Sequence, residues 1–240
     1  MGKLFKKRKG VSSSNRLTHI RSLISHKKPK SPISEQYRTI RTNIQFSSID
    51  GEMRSVMVTS TLASEGKSTT AANLAVVFAQ QGKRVLLVDA DMRKPSIQYT
   101  FQLENHIGLT NVLAKQTNLA SGIQESHVDN LWVLTSGPIP PNPSELLASQ
   151  AMESLIQEMY KQFDMVIFDT PPVLPVTDSH ILANKCEGVL LVVRSGQTER
   201  EAVLKAKDIL QKQQGKLLGV VLNGRSEEEG NYYYYYGSGQ

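Results

Sequence analysis

The chain has 240 residues, of which 39% are hydrophobic and 21% charged, enough for one large α/β domain with a sizeable core. Its formal charge of +6 is uneven, because residues 1–30 hold ten Lys or Arg and no Asp or Glu, leaving 18 basic against 22 acidic side chains elsewhere. The body of the protein is therefore mildly acidic, which argues against a domain-wide nucleic-acid footprint, so no nucleic-acid partner is expected.

In chain order, the start "MGKLFKKRKG" is basic but has no apolar stretch behind it, and Lys6 breaks the myristoylation pattern. Residues 1–30 read as a solvated, disordered arm, with recruitment to anionic lipid or an acidic partner as the alternative. The stretch "HKKPKSPIS" predicts a hinge into the helix "SEQYRTIRTNIQF", capped by Ser34. A strand "SVMVTS" follows over 55–60, then the loop "TLASEGKSTT" and the helix "AANLAVVFAQQG". The run "RVLLVDAD" (84–91) predicts a second buried strand, and "LWVLTSG", "MVIFDTPP", "GVLLVVRSG" and "LLGVVLNGR" predict four more. Helical stretches such as "EAVLKAKDILQKQQ" lie between them. Continuous Val/Leu/Ile runs alternating with amphipathic helices imply one doubly wound α/β domain, a mostly parallel sheet with helices on both faces. The expected organisation is an arm over 1–30, a domain over 31–226 and a mobile tail over 227–240. Cys186 is the only cysteine, which excludes an intrachain disulfide framework and suits a reducing cytosol. No apolar run approaches the ~18–20 residues that span a bilayer.

Gly66, Lys67, Ser68 and Thr69 sit between a strand and a helix, where a phosphate-binding loop belongs. Backbone N–H groups at the helix start would face the phosphates of ATP, Lys67 would reach the β- and γ-phosphates, and Ser68 would ligate Mg²⁺. The loop departs from the G-x-x-x-x-G-K-[ST] pattern at one point, since Thr61 stands at the first glycine position. Asp89 and Asp91 fall at the carboxyl end of the second strand, where open α/β sheets bind ligands, and their spacing of two aims both to one side. Asp169 ends "MVIFD" in the manner of a Walker B acid that holds Mg²⁺ through water. Asp89 is the best-placed general base. One strand-end acid would be unremarked. Three beside a GKST loop indicate a nucleotide and metal site.

Together "ASEGKST", "VLLVDADMRKP", "VIFDTPP", "SGPIPPNPSELL" and the terminal run Tyr232, Tyr233, Tyr234, Tyr235 and Tyr236 resemble the bacterial tyrosine kinases, P-loop autokinases of capsule and exopolysaccharide production. The resemblance covers roughly residues 30–240. It implies that Lys67 and Ser68 bind triphosphate and Mg²⁺, that Asp89, Asp91 and Asp169 form the acidic group, and that the tyrosines are phosphorylation sites. It places Arg93 and Lys94 near the phosphates, with solvated loop charges as the alternative. Glu35, Arg38 and Arg41 form E-x-x-R-x-x-R at helical spacing, similar to the motif that joins protomers into a ring; a solvated helix face is the other reading. Asn223 resembles an adenine-edge residue of related folds, or else makes a local turn. The resemblance further implies a separate transmembrane activator with a cytoplasmic tail, other protein substrates, a cognate tyrosine phosphatase, and a cytoplasmic site at the inner face of the membrane. The alternative function is a partitioning or site-selection ATPase. Its signature lysine would stand where this chain has Leu62. A non-catalytic scaffold is a third reading, and an aromatic patch is the other account of the tyrosines.

Overall fold

The uninterrupted apolar runs become the strands of one sheet. The computed structural model describes residues 23–47 and 52–225. Within them lie β1 (Ser55–Ser60), β2 (Val85–Asp89), β3 (Ile123–Glu125), β4 (Leu131–Leu134), β5 (Met165–Asp169), β6 (Gly188–Arg194) and β7 (Lys216–Asn223). Their order across the sheet is β3-β4-β2-β5-β1-β6-β7. All neighbours pair in parallel except β3 and β4. The expected mostly parallel, doubly wound sheet is thus present. β3 was not expected from the sequence, because "IQE" is short and polar, and it gains its strand geometry only by pairing antiparallel to β4.

The helices are α1 (Ile24–Lys27), α2 (Pro32–Phe46), α3 (Lys67–Ala79), α4 (Ile97–Phe101), α5 (Leu109–Leu113), α6 (Leu119–Gly122), α7 (Pro143–Ala148), α8 (Gln150–Gln162), α9 (Asp178–Ala183) and α10 (Arg200–Gln211). Successive strand residues point to opposite faces, and the core divides accordingly. Met57, Leu86, Val88, Val166, Phe168 and Leu191 face the layer of α5 to α10. Val56, Val58, Leu87, Ile167, Leu190 and Val192 face α3, α4 and the end of α2. α3 is buried along its whole length except at Thr69. A helix apolar on all sides must be enclosed on all sides, and α2 supplies the outer cover.

Two details of the amino-terminal region differ from expectation. Ser31, not Ser34, caps α2: its hydroxyl accepts the Ser34 N–H at 3.2 Å, and Pro32 occupies the first helical position, where a missing N–H costs nothing. The Ser34 hydroxyl instead donates to the Lys28 carbonyl at 2.7 Å and ties off α1. The packed chain also begins before residue 31. Leu23 is 2% exposed, and the Ser25 N–H donates to Asn73 Oδ1 on α3 at 2.9 Å. A single leucine among lysines and serines gives no periodic signal, yet it is enough to anchor one helical turn. Residues 1–22 of the expected arm and the tail from 227 onward lie outside the described residues. Among the described residues no helix is long and apolar enough to cross a membrane.

Candidate nucleotide and phosphoryl-transfer site

The site is built where β1, β2 and β5 end and α3 begins. β1 hands the chain to a loop that turns through Ser64 at φ 68° and Gly66 at φ 100°. Gly66 is the N-cap of α3, no side chain closes that helix end, and its φ is one that L side chains rarely adopt. A Cβ at Gly66 would also run into the Asn223 amide nitrogen. The first N–H groups of α3 have no carbonyl partner within the helix, and they focus positive potential at its head. Thr61, at the position of the absent first glycine, is buried.

Lys67 is not a solvated side chain. It is 9% exposed and folds over the strand ends, its Nζ donating to Asp91 Oδ2 at 2.8 Å and Ser68 Oγ at 3.3 Å and lying 3.5 Å from Asp169 Oδ1. Burial alone would push its amine down, but the charges of Asp169, Asp91 and Asp89 outweigh that and hold it above the usual lysine value. Asp89 is fully buried at the end of β2, level with Asp169 on β5. Burial first, then the charge of Asp169, pushes its carboxyl up to about 7 against the opposing N–H groups of Ile97 and Ser96. Asp89 Oδ2 accepts both those N–H groups, at 2.9 and 2.8 Å, and so fixes the start of α4. The sequence had carried the second strand through to 91; the strand stops at Asp89, and Asp91 reaches Lys67 from the turn that follows. Asp91 Oδ1 accepts the Lys94 N–H at 3.0 Å.

The structure therefore brings Gly66, Lys67, Ser68, Asp89, Asp91 and Asp169 to one focus, with Thr69 in the first turn of α3. The Ser68 hydroxyl and the carboxylates are the hard oxygen donors a Mg²⁺ takes. Among the described residues no three His, Cys, Asp or Glu side chains converge as a complete metal-ligand set. A Mg²⁺ here would draw its other ligands from phosphate and water, as that ion commonly does. Asn223 touches the loop directly, its Nδ2 donating to the Glu65 carbonyl at 2.9 Å.

Other expected residues lie elsewhere. The Arg93 guanidinium clasps Asp178 at 2.8 and 3.0 Å and Ser144 at 3.2 Å, and the Lys94 side chain is exposed. Glu35 and Arg38 pair within α2, while Arg41 Nη1 donates to the Val77 carbonyl of α3 at 2.8 Å. Tyr232 to Tyr236 fall outside the described residues. Three contributors escaped the sequence reading: Ser96, whose hydroxyl meets Ser68 Oγ at 3.3 Å, and the pair Glu65 and Thr198. Only Glu65 left a trace, as a carboxylate inside an anion-binding loop. A cavity of about 390 Å³ between His26, Gln80, His127 and Asp129 lies by the far end of α3, away from these acids.

Comparison with known proteins decides between the readings of this site. The chain matches the AAA domain family over residues 53–214. Tyrosine-protein kinase YwqD of Bacillus subtilis is 56% identical over 91% of this chain and 92% of its own length. The chain belongs to the bacterial tyrosine-protein kinase family. Putative tyrosine-protein kinase CapB of Staphylococcus aureus is 44% identical over 91% of this kinase and 96% of its own length. The crystal structure of the chimerical protein CapA2B2 superimposes with a TM-score of 0.81 at 46% identity, covering 83% of this kinase and 88% of that chain. The expectation of a P-loop protein-tyrosine kinase holds. The partitioning-ATPase alternative is less supported: the cell division ATPase MinD of Pyrococcus furiosus reaches a TM-score of 0.62 and 26% identity, over 72% of this kinase and 74% of that chain. The fold and the phosphate loop make this kinase a nucleotide-binding protein.

Proposed function

We propose that this kinase transfers the γ-phosphoryl group of ATP to Tyr232–Tyr236 of a neighbouring copy, and to other proteins, in the control of capsule or exopolysaccharide production. The observation that carries the reading is Lys67 at the head of α3, held 2.8 Å from Asp91 and 3.5 Å from Asp169. A cation, an open helix end and a set of acids at the ends of parallel strands are the parts phosphoryl transfer requires, because the reaction needs positioning and charge neutralisation more than covalent chemistry.

In this reading Gly66 to Thr69 hold the phosphates through their N–H groups, and Lys67 follows the charge that develops on the transferred group. Ser68 and Asp169, with Asp89 beside them, would hold Mg²⁺, which would supply neutralisation of the phosphate charge. Asp89 takes the phenol proton as the new oxygen–phosphorus bond forms and the bond from phosphorus to ADP breaks. Burial and the charge of Asp169 raise the Asp89 carboxyl above the usual carboxylate range, which favours proton uptake. Asn223, which braces the phosphate loop, would meet the edge of the adenine.

Glu35, Arg38 and Arg41 would present the face through which copies assemble into a ring, bringing one tail to the next site. A membrane-spanning activator with a cytoplasmic tail would hold the kinase at the inner face of the membrane, and a cognate tyrosine phosphatase would reset it. The domain would end near residue 226 and release the tyrosine tail beyond it. Purified protein incubated with ATP and Mg²⁺ tests the reading. Phosphotyrosine should appear in wild type and be absent from Lys67→Ala incubated alone; label on Lys67→Ala would overturn the site assignment.

A further inference from the structure

A carboxylate is a poor neighbour for a phosphate, yet Glu65 lies inside the anion-binding loop and is only 4% exposed. Its bonds show where the charge is directed. Oε2 accepts the Leu62 N–H at 3.0 Å, which closes the loop on itself. Oε1 accepts the Thr198 hydroxyl at 2.5 Å, from the segment between β6 and α10. The Glu65 carbonyl accepts the Asn223 amide at 2.9 Å, from the end of β7. The circuit closes behind them: Thr198 Oγ1 accepts the Arg194 N–H at 3.1 Å, and the Ser195 N–H donates to the Asn223 carbonyl at 2.8 Å. The phosphate loop and the β6–α10 segment therefore meet at the buried Glu65 side chain, the end of β7 meets its backbone carbonyl, and the loop conformation they secure includes Ser64 and Gly66 in left-handed backbone.

We infer that Glu65 is a positioning residue for nucleotide binding: its carboxylate, through Thr198, holds the phosphate loop against the β6–β7 end of the sheet, beside the bond that the Asn223 amide makes to the main chain of the same residue. Both carboxylate oxygens are turned to hydrogen-bond donors, so the negative charge is spent on the circuit and not aimed at the phosphates. The inference rests on the nucleotide-binding reading above. Its consequence is that nucleotide affinity depends on the Glu65–Thr198 bond, although neither side chain need touch the nucleotide.

The test is a double-mutant cycle on Glu65→Ala and Thr198→Val, read by titration of a fluorescent ADP analogue and by steady-state KM for ATP and kcat. A hydrogen bond to a charged group is worth enough to weaken affinity about tenfold in each single variant. The double variant should lose less than the sum of the two single losses, since both variants remove the Glu65–Thr198 bond while Glu65→Ala alone frees the Leu62 N–H and Thr198→Val alone frees the Arg194 N–H. Glu65→Gln retains an acceptor for Leu62 and a donor for Thr198, and should recover affinity to within about threefold of wild type. The loss should appear in KM for ATP more than in kcat. Additive losses, an unchanged affinity accompanied only by a lower melting temperature, or equal falls in kcat and affinity would each overturn the proposal. A wild-type chain that binds no nucleotide would overturn the functional reading itself, and the proposal with it.

Discussion

Lys67 is surrounded by the acids it serves, and this changes what its removal should do. Replacing a cation held in a solvated loop would leave the fold untouched; here Lys67→Met strands Asp89, Asp91 and Asp169 around an uncharged stem. We expect tyrosine labelling to vanish and the melting temperature to fall, more at pH 8 than at pH 6, because the acids can relieve their repulsion by protonation only on the acid side. Thermal scans at the two pH values check the sign. Asp89 separates chemistry from binding. In Asp89→Asn an amide oxygen can still take the Ser96 and Ile97 N–H groups, while the amide nitrogen must face the Asp91 N–H, which Asp89 Oδ1 now accepts at 3.2 Å. Nucleotide affinity should stay within a few-fold and the rate of transfer should drop by about 10² or more. ADP-analogue titration beside single-turnover labelling reads both, and a transfer rate equal to wild type would remove Asp89 from the role of base.

At the scale of elements, α1 offers a pH dependence that can be measured apart from catalysis. His127 stands 5.3 Å, ring to ring, from His26 on α1 and 5.8 Å from Phe101 on α4. Burial, then the charges of His26 and Lys27, hold its imidazole below the ordinary 6.5. The folded state thus favours neutral His127 more than the unfolded chain does. That stability is fully present above pH 6.5 and is lost as pH falls through the lower folded value. Denaturant unfolding of His127→Gln should show a shallower loss of stability between pH 7 and 5 than wild type; identical slopes would contradict it. The strands were legible because β1, β2, β5 and β6 are buried on both faces and written as continuous apolar runs. The loop "ASEGKST" and the strand-end acids were legible because their chemistry restricts residue type. α1 and β3 were not, since each is held by tertiary partners and not by its own pattern. Nor was the role of Arg93: only the fold brings Asp178, 85 residues away, to its guanidinium. The bonds from Arg93 and Ser144 overcome burial and hold the Asp178 carboxyl below the usual range.

At the scale of the molecule, α2 both covers α3 and carries the face proposed to join protomers. Its two arginines are therefore not equivalent. Arg41 donates to the Val77 carbonyl, so Arg41→Ala should lower the melting temperature as well as any tendency to assemble, whereas Arg38, which among the described residues pairs with its neighbour Glu35, tests assembly more cleanly. Light scattering should show Arg38→Ala shifted toward monomer, with tail labelling that becomes slower and dependent on protein concentration. An assembled Arg38→Ala that labels at the wild-type rate would remove this face from the ring. The central claim is that one chain, given ATP and Mg²⁺, phosphorylates the tyrosine run of another. It is tested most directly by mixing Lys67→Ala protein, as the acceptor, with a donor in which Tyr232–Tyr236 are all Phe, and detecting phosphotyrosine. Label on the Lys67→Ala tail, with none on either protein alone, is the predicted result; no label in the mixture, while wild type labels itself, would contradict transfer between copies.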